Sequence, residues 1–141
     1  MTTHDLPPTA GYLAGEHVRL RDRLGLLTRS LAEEVAADDA ERESWLAELR
    51  ARGLLAEDAT AEQTVEALHR YLALTPARLL NVALTDAVGD HRTQNQPGTT
   101  DEYPNWRVPL SGPDGTPMLL EEVLTSERAA ALAGALRQAM G

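Results

Sequence analysis

Apolar positions recur three and four residues apart through most of this chain, the spacing that lines one face of a helix. Over residues 10–27, Tyr12, Leu13, Val18, Leu20, Leu24 and Leu27 are interleaved with Arg19, Arg21 and Arg23, which predicts an amphipathic helix broken near Gly15. Ser30-x-x-Glu33 is a capping-box pattern and opens residues 30–37 as helix. Residues 39–52 form a charged helix with Trp45, Leu46 and Leu49 on one face and Gly53 as its C-cap. Thr60-x-x-Gln63 is a second capping box. The helix it starts carries Val65, Leu68, Tyr71 and Leu72 and ends by Pro76. A last helix is predicted over 118–140, with Leu119, Leu120, Val123, Leu124, Leu132, Leu136 and Met140.

Residues 78–84, Arg-Leu-Leu-Asn-Val-Ala-Leu, break this period. They are short, mostly apolar on both sides, and bounded by Pro76 and by the stretch from Asp86 to Gly89. That pattern predicts a strand buried on both faces, as in a parallel sheet. One strand cannot make a sheet, and the rest of the pattern supplies no neighbour for it. The chain therefore reads as part of a larger assembly of strands and helices.

A long loop is predicted over 85–117, with the turn Pro113-Asp114-Gly115 near its end. Its centre, residues 91–110, holds Asn95, Pro97, Gly98, Pro104, Asn105 and Trp106, too many breakers for the interior of a helix or strand. Long ordered loops in compact domains tend to carry function, so the candidate chemistry centres here. At the other end, residues 1–9 are predicted irregular, with Pro7 and Pro8 favouring a helix start after them.

Composition narrows the possible partners. The chain has 141 residues with 13 basic against 22 acidic, a net charge of −9, which argues against a nucleic-acid partner. Every basic residue is Arg, and Lys, Ile, Phe and Cys are absent, a codon bias rather than a chemical signal. Without cysteine there is no disulfide framework and no thiolate metal site. No stretch suits a membrane span or a secretory signal, so a cytoplasmic protein with no membrane partner is expected. His17, His69 and His91 show no ligand spacing, and no metal or cofactor is expected. The acidic run over 33–48 reads as a solvated helix face.

Taken alone, the candidate site residues leave alternatives open. His4-Asp5 is either a carboxylate with a hydrogen-bonding imidazole or a pair of polar residues at a solvated terminus. Gln94, Asn95 and Gln96 offer amides suited to sugar hydroxyls, although Asn95 equally fits a turn before Pro97. Tyr103 and Trp106 offer flat faces suited to pyranose rings, although Trp106 equally fits a core anchor for the loop. Asp86, at the end of the predicted strand, fits either a site residue or a cap for the turn that follows it, and the cap is the favoured reading.

Two motifs resemble one family. Thr3-His4-Asp5-Leu6-Pro7-Pro8-Thr9-Ala10-Gly11-Tyr12 is similar to the T-H-D-x-x-T-x-x-G-[YW] segment of the 4-α-glucanotransferases, the amylomaltases of glycoside hydrolase family 77. Asn95-Gln96-Pro97-Gly98-Thr99, then Tyr103-Pro104-Asn105-Trp106-Arg107, resembles that family's N-x-P-G-T…P-N-W-R loop, preceded by a D-x-x-G at Asp86 to Gly89. The family often has an Arg-Met or similar pair before this asparagine, where Thr93-Gln94 stands here.

The resemblance implies an α/β fold in which residues 1–141 are a C-terminal fragment of a (β/α)₈ TIM-barrel catalytic domain. They would supply its last two βα units, helix-rich and incomplete as a barrel. His4 and Asp5 would follow strand seven, residues 78–84 would be strand eight, and residues 118–140 the final helix. The implied reaction is retaining transfer of α-1,4-glucan segments between maltooligosaccharides, which needs a carboxylate nucleophile and a carboxylic acid. Neither maps onto this chain. Asp5 maps onto the third carboxylate, the transition-state stabiliser, with His4, Asn95 and Trp106 binding substrate. The expected partners are maltooligosaccharides or α-1,4-glucans and the N-terminal part of the barrel. A poor folder with no transferase activity of its own is expected. The alternative is a stand-alone carbohydrate-binding or partner-docking module without catalysis.

Overall fold

A computed structural model describes residues 3–141, and among these residues it contains seven helices and no strand. In chain order they are α1 (Thr9–Leu13), α2 (Glu16–Arg23), α3 (Leu31–Ala51), α4 (Ala61–Ala73), α5 (Leu84–Val88), α6 (Leu120–Leu124) and α7 (Glu127–Met140). The predicted break near Gly15 separates α1 from α2: Gly15 sits in the left-handed region at φ 67°, where a side chain would be strained. The segment before α1 is irregular from residue 3, with a turn closed by Leu6 N–H donating to the Thr3 carbonyl. Residues 1 and 2, which open the predicted irregular stretch, lie outside the described residues.

Both capping boxes form. The Ser30 hydroxyl accepts from Glu33 N–H while the Glu33 carboxylate accepts from Ser30 N–H, and Thr60 and Gln63 repeat the exchange at α4. What reads as two segments over 30–52 is one helix, α3, with Gly53 just past its end. Leu49, Leu55, Ala67 and Leu68 form a buried core, and Trp45, Leu46 and Tyr71 pack around it. The Trp45 and Tyr71 rings meet edge to face at 5.7 Å, a favoured aromatic geometry. Val65 and Leu68 of α4 are buried, and α7 lies along this helix with Leu132 and Leu136 turned inward. Most of the acidic run on α3 is exposed as predicted, but Asp38 turns in to pair with His17 at 3.1 Å and with Arg42.

Two predicted elements are corrected. Residues 78–83 form no strand, and Leu84 begins α5 instead. Leu79 is 87 % exposed and Leu84 56 % exposed, so the expected burial on both faces is not met within this chain. The reason is physical: among the described residues no other strand offers ladder hydrogen bonds or a covering face. The predicted last helix is divided at Thr125, because the Ser126 hydroxyl accepts from Ala129 N–H and starts α7 afresh. Leu119, Leu120 and Leu124 are exposed ahead of that break. The predicted turn at 113–115 is present, closed by Gly115 N–H donating to Gly112 and flanked by a bridge between Ser111 and Pro117.

Candidate functional site

The long loop begins after α5 and is pinned at both ends by Asp90, which is fully buried. Asp90 accepts from the Arg92 guanidinium through both carboxylate oxygens at 3.1 Å, from Arg92 N–H at 2.9 Å, and from Ser111 N–H at 3.0 Å. A buried carboxylate is stable only with such partners. One side chain thus ties residue 92 to residue 111 and closes the base of the loop. Arg92 in turn donates to the Pro109 carbonyl.

Asn105 organises the interior of the loop. Its Oδ1 accepts from Gln96 N–H at 2.7 Å, and its Nδ2 donates to the Thr99 hydroxyl at 2.8 Å. The Thr99 hydroxyl donates to the Gln96 carbonyl, and the Tyr103 hydroxyl to the Thr93 carbonyl. Burial raises the Tyr103 phenol above its ordinary range, so it remains a donor. These bonds fold residues 93–99 against 103–106. Asn95 and Trp106 are thereby placed at the edge of the loop that faces the Thr3–Leu6 turn.

Four residues singled out in the sequence meet there. Asn95 Nδ2 donates to Asp5 Oδ1 at 2.6 Å. His4 Nε2 lies 3.2 Å from the other oxygen, Asp5 Oδ2. The His4 and Trp106 rings face each other with centroids 5.4 Å apart and planes tilted by 40°. Asn95 therefore spends its side chain on Asp5 rather than on its own turn. Trp106 is 63 % exposed and does not anchor the loop in a core; its backbone N–H donates to the Gln94 carbonyl at 2.8 Å. Trp106 also has φ 61°, in the left-handed region. For a bulky residue that conformation costs free energy and is held only when surrounding bonds fix it.

Two cavities flank this group. One of about 450 Å³ is lined by His4, Trp106, Gln94, Asn81 and Thr85, an aromatic face surrounded by amide and hydroxyl groups. The other, about 330 Å³, is lined by Asp5, Thr93, Gln96, His17 and Arg21. Apart from Asp5 itself, neither is lined by a carboxylate. No cluster of three or more potential metal ligands occurs among the described residues. The chemistry on offer is hydroxyl recognition, ring stacking and one carboxylate held at both oxygens.

Asp86 departs from its predicted place as a cap of the following turn. It is buried and accepts from the Thr9 N–H at 2.7 Å and the Thr9 hydroxyl at 2.9 Å, so it caps α1 from 77 residues away. Its Oδ2 also faces the buried His69 Nε2 at 3.4 Å. Burial works against its charge, but His69 and the two Thr9 bonds outweigh it and hold the carboxyl below its ordinary value of 3.8. His17 and His91 pair with Asp38 and Glu16. Asp90 and the linking role of Asn105 escape sequence reasoning. An acidic residue directly after Gly89 and a polar residue between Pro104 and Trp106 are the only signals they leave.

Comparison with known proteins bears on this arrangement. The family model described as 4-alpha-glucanotransferase matches residues 1–114. The 4-alpha-glucanotransferases of Mycobacterium bovis and Mycobacterium tuberculosis are 67% identical over 141 residues, covering 99% of this chain and 20% of theirs. That of Haemophilus influenzae is 26% identical over 121 residues, 79% of this chain and 17% of its own. Among solved structures, amylomaltase from Corynebacterium glutamicum superposes with a TM-score of 0.85 at 42% identity, over 96% of this chain and 21% of that one. The chain thus spans about a fifth of the length of the curated relatives it matches.

Proposed function

The chain belongs to the 4-alpha-glucanotransferase family, and from that premise we propose that it is the C-terminal part of an enzyme that transfers α-1,4-glucan segments between maltooligosaccharides with retention. In this reading it supplies the last two βα units of a (β/α)₈ barrel. Residues 78–83, which pair with no strand among the described residues, would form strand eight once the neighbouring strands of the rest of the barrel flank them. The exposed Leu79 supports this, because an apolar side chain bare in this chain is suited to burial against such neighbours. The loop from 90 to 111 then lies at the C-terminal end of that strand, where barrel enzymes carry their chemistry.

Asp5 serves as the carboxylate that stabilises positive charge developing at the anomeric carbon. One observation carries this assignment: both Asp5 oxygens are held, Oδ1 by Asn95 at 2.6 Å and Oδ2 by His4 at 3.2 Å. A carboxylate fixed in this way is organised before charge develops, which is how electrostatic stabilisation lowers a barrier. Its remaining lone pairs stay available to sugar hydroxyls. Asn95 and His4 orient the carboxylate and line the cleft, and Trp106 offers a ring face to a pyranose. The nucleophile and proton donor of a retaining mechanism are supplied by the rest of the enzyme. Asp5→Asn in the full-length enzyme tests this, with release of glucose and longer dextrins from maltotriose as the assay. Loss of most turnover with the fold intact is expected, and unchanged turnover refutes the role.

The exposed Trp106, lining a cavity with the amides of Asn81 and Gln94, also favours a second reading, sugar binding by these residues without turnover. Calorimetric titration of maltooligosaccharides into the 141-residue chain tests it, and no heat at millimolar sugar removes it.

A further inference from the structure

Asp86 and His69 are 1 % and 0 % exposed, and a buried carboxylate beside a buried imidazole outside the sugar cleft calls for a reason. His69 Nδ1 lies 2.8 Å from the Val65 carbonyl, an acceptor, so this nitrogen carries a proton. Nε2, on the other side of the ring, faces Asp86 Oδ2 at 3.4 Å. On its other side Asp86 grips the first residue of α1 through the Thr9 N–H and hydroxyl. The preceding Pro8 has no N–H, and its ring fixes the entry into the helix at φ −55°. Pro7 and Pro8 are the whole connection between Thr9 and the turn that holds His4, Asp5 and Leu6.

Asp86 also belongs to the other half of the site. Its helix α5 begins at Leu84, directly after Asn81 and Ala83, which line the cleft. Four residues beyond Asp86 lies Asp90, the clamp at the base of the loop that carries Asn95 and Trp106. The Thr9–Asp86 contact is therefore a short mechanical link, at the back of the site, between the two segments whose side chains meet as Asp5 and Asn95.

We propose that Asp86, braced by His69, is a positioning residue that sets the Asp5 carboxylate against Asn95 by holding Thr9 at the start of α1. This rests on the reading of Asp5 as the stabilising carboxylate. A carboxylate displaced by about 1 Å loses much of its effect on the barrier, whereas hydroxyl recognition elsewhere in the cleft persists.

The test uses the full-length glucanotransferase carrying this segment, with Thr9→Val, Thr9→Ser and Asp86→Asn. Thr9→Val removes the hydroxyl bond at nearly constant volume and keeps the backbone bond, so it tests the link even if Asp86→Asn fails to fold. Expected for Thr9→Val is a fall in kcat of roughly ten- to a hundredfold with KM for maltotriose nearly unchanged. Thr9→Ser, which retains the hydroxyl, restores kcat. Hydrogen exchange rises at residues 3–9 and stays constant in α3. Retention of kcat by Thr9→Val overturns the proposal. So does a loss that Thr9→Ser shares, or one accompanied by faster exchange throughout α3 and α4. Asp5→Asn is measured alongside. Should it keep its turnover, the role of Asp5 falls instead, and exchange at residues 3–9 still decides whether Asp86 holds that turn.

Discussion

Asp5 and Asn95 are 90 residues apart in the chain, and their side chains meet at 2.6 Å, amide nitrogen to carboxylate oxygen. The direction of this bond matters. Asn95 donates and the carboxylate accepts, so the amide aims Oδ1.

Replacing the donor by an acceptor reverses that effect. Asn95→Asp places two carboxylates within hydrogen-bond distance, where like charges repel and the aim of Oδ1 is lost. In the full-length enzyme kcat is expected to fall. Asn95→Ala removes the donor without adding charge, and is expected to lower kcat for maltotriose and, because Asn95 also lines the cleft, to raise KM. A kcat for Asn95→Asp equal to the parent's shows that this contact does not position Asp5.

Trp106 separates backbone strain from ring function. Its φ of 61° suits glycine and is unfavourable for tryptophan by about 1–2 kcal/mol. Trp106→Gly is expected to leave stability equal or higher, since the 63 % exposed ring contributes little burial, while weakening maltooligosaccharide binding. Trp106→Ala loses the ring without fully relieving the strain, so it is expected to bind as poorly and to be less stable than Trp106→Gly. Urea unfolding and sugar titration of the two variants provide the comparison. If Trp106→Gly unfolds more readily than Trp106→Ala, the strain is not released by glycine.

What could be read from the sequence follows the range of the interactions. The capping boxes at Ser30 and Thr60 are complete within three residues, and both were legible as patterns. The loop of breakers at 91–110 was legible because Pro and Gly act locally. Residues 78–84 misled because burial of a strand depends on neighbours, and Leu79 has none here. Asp86 misled because its partner Thr9 lies 77 residues away. Nothing in a tryptophan signals left-handed backbone, so the conformation of Trp106 could not be foreseen. The proximity of His4, Asp5, Asn95 and Trp106 was reachable only through family resemblance, since no spacing rule joins residues 4–5 to 95–106.

Asp86 and His17 give the chain a common sensitivity to acid. The folded-state pKa of Asp86 lies below 3.8, so the unfolded chain binds the proton more readily. The stability Asp86 contributes is present above that value and is lost as pH falls through the folded pKa. His17 is lowered from 6.5 by burial, against the pull of Asp38. Its neutral form is favoured in the fold, so its contribution is complete above 6.5 and declines as pH falls below. Urea unfolding across this range is expected to show stability falling toward acid in two regions. His17→Gln should flatten the first and Asp86→Asn the second. A parent curve that is level from pH 7 to pH 3 contradicts both assignments.

Gly11 tests the seat of α1 without touching the cleft. A Cβ at this position would stand 2.2 Å from the His91 carbonyl oxygen, inside any allowed contact, and the obstacle is backbone rather than a yielding side chain. Gly11→Ala is therefore expected to cost at least about 1–3 kcal/mol, the usual range for overpacking, and to lower the unfolding midpoint. The control is Gly134→Ala, where nothing lies within 4 Å of the added carbon in the middle of α7; this change is expected to stabilise. Equal midpoints for the two variants would show that α1 does not press on His91.

The last prediction is that these 141 residues alone transfer no glucan. A retaining displacement needs two carboxyl groups about 5–5.5 Å apart across the scissile bond, one attacking the anomeric carbon and one protonating the leaving oxygen. Asp5 is the one carboxylate among the residues lining the two cavities beside the His4–Trp106 pair. It is engaged at both oxygens by Asn95 and His4, which suits a fixed stabilising charge better than an attacking nucleophile. Asp86 and Asp90 are buried and fully committed to Thr9, His69, Arg92 and Ser111, so neither can reach a sugar. Incubating the purified chain with maltotriose is expected to yield no glucose and no longer dextrins. On the function proposed above, adding the remaining part of the enzyme restores transfer if the segments assemble. Transfer by the chain alone would show that Asp5 works with a carboxyl group outside these cavities, and the division of labour assigned here would then be wrong.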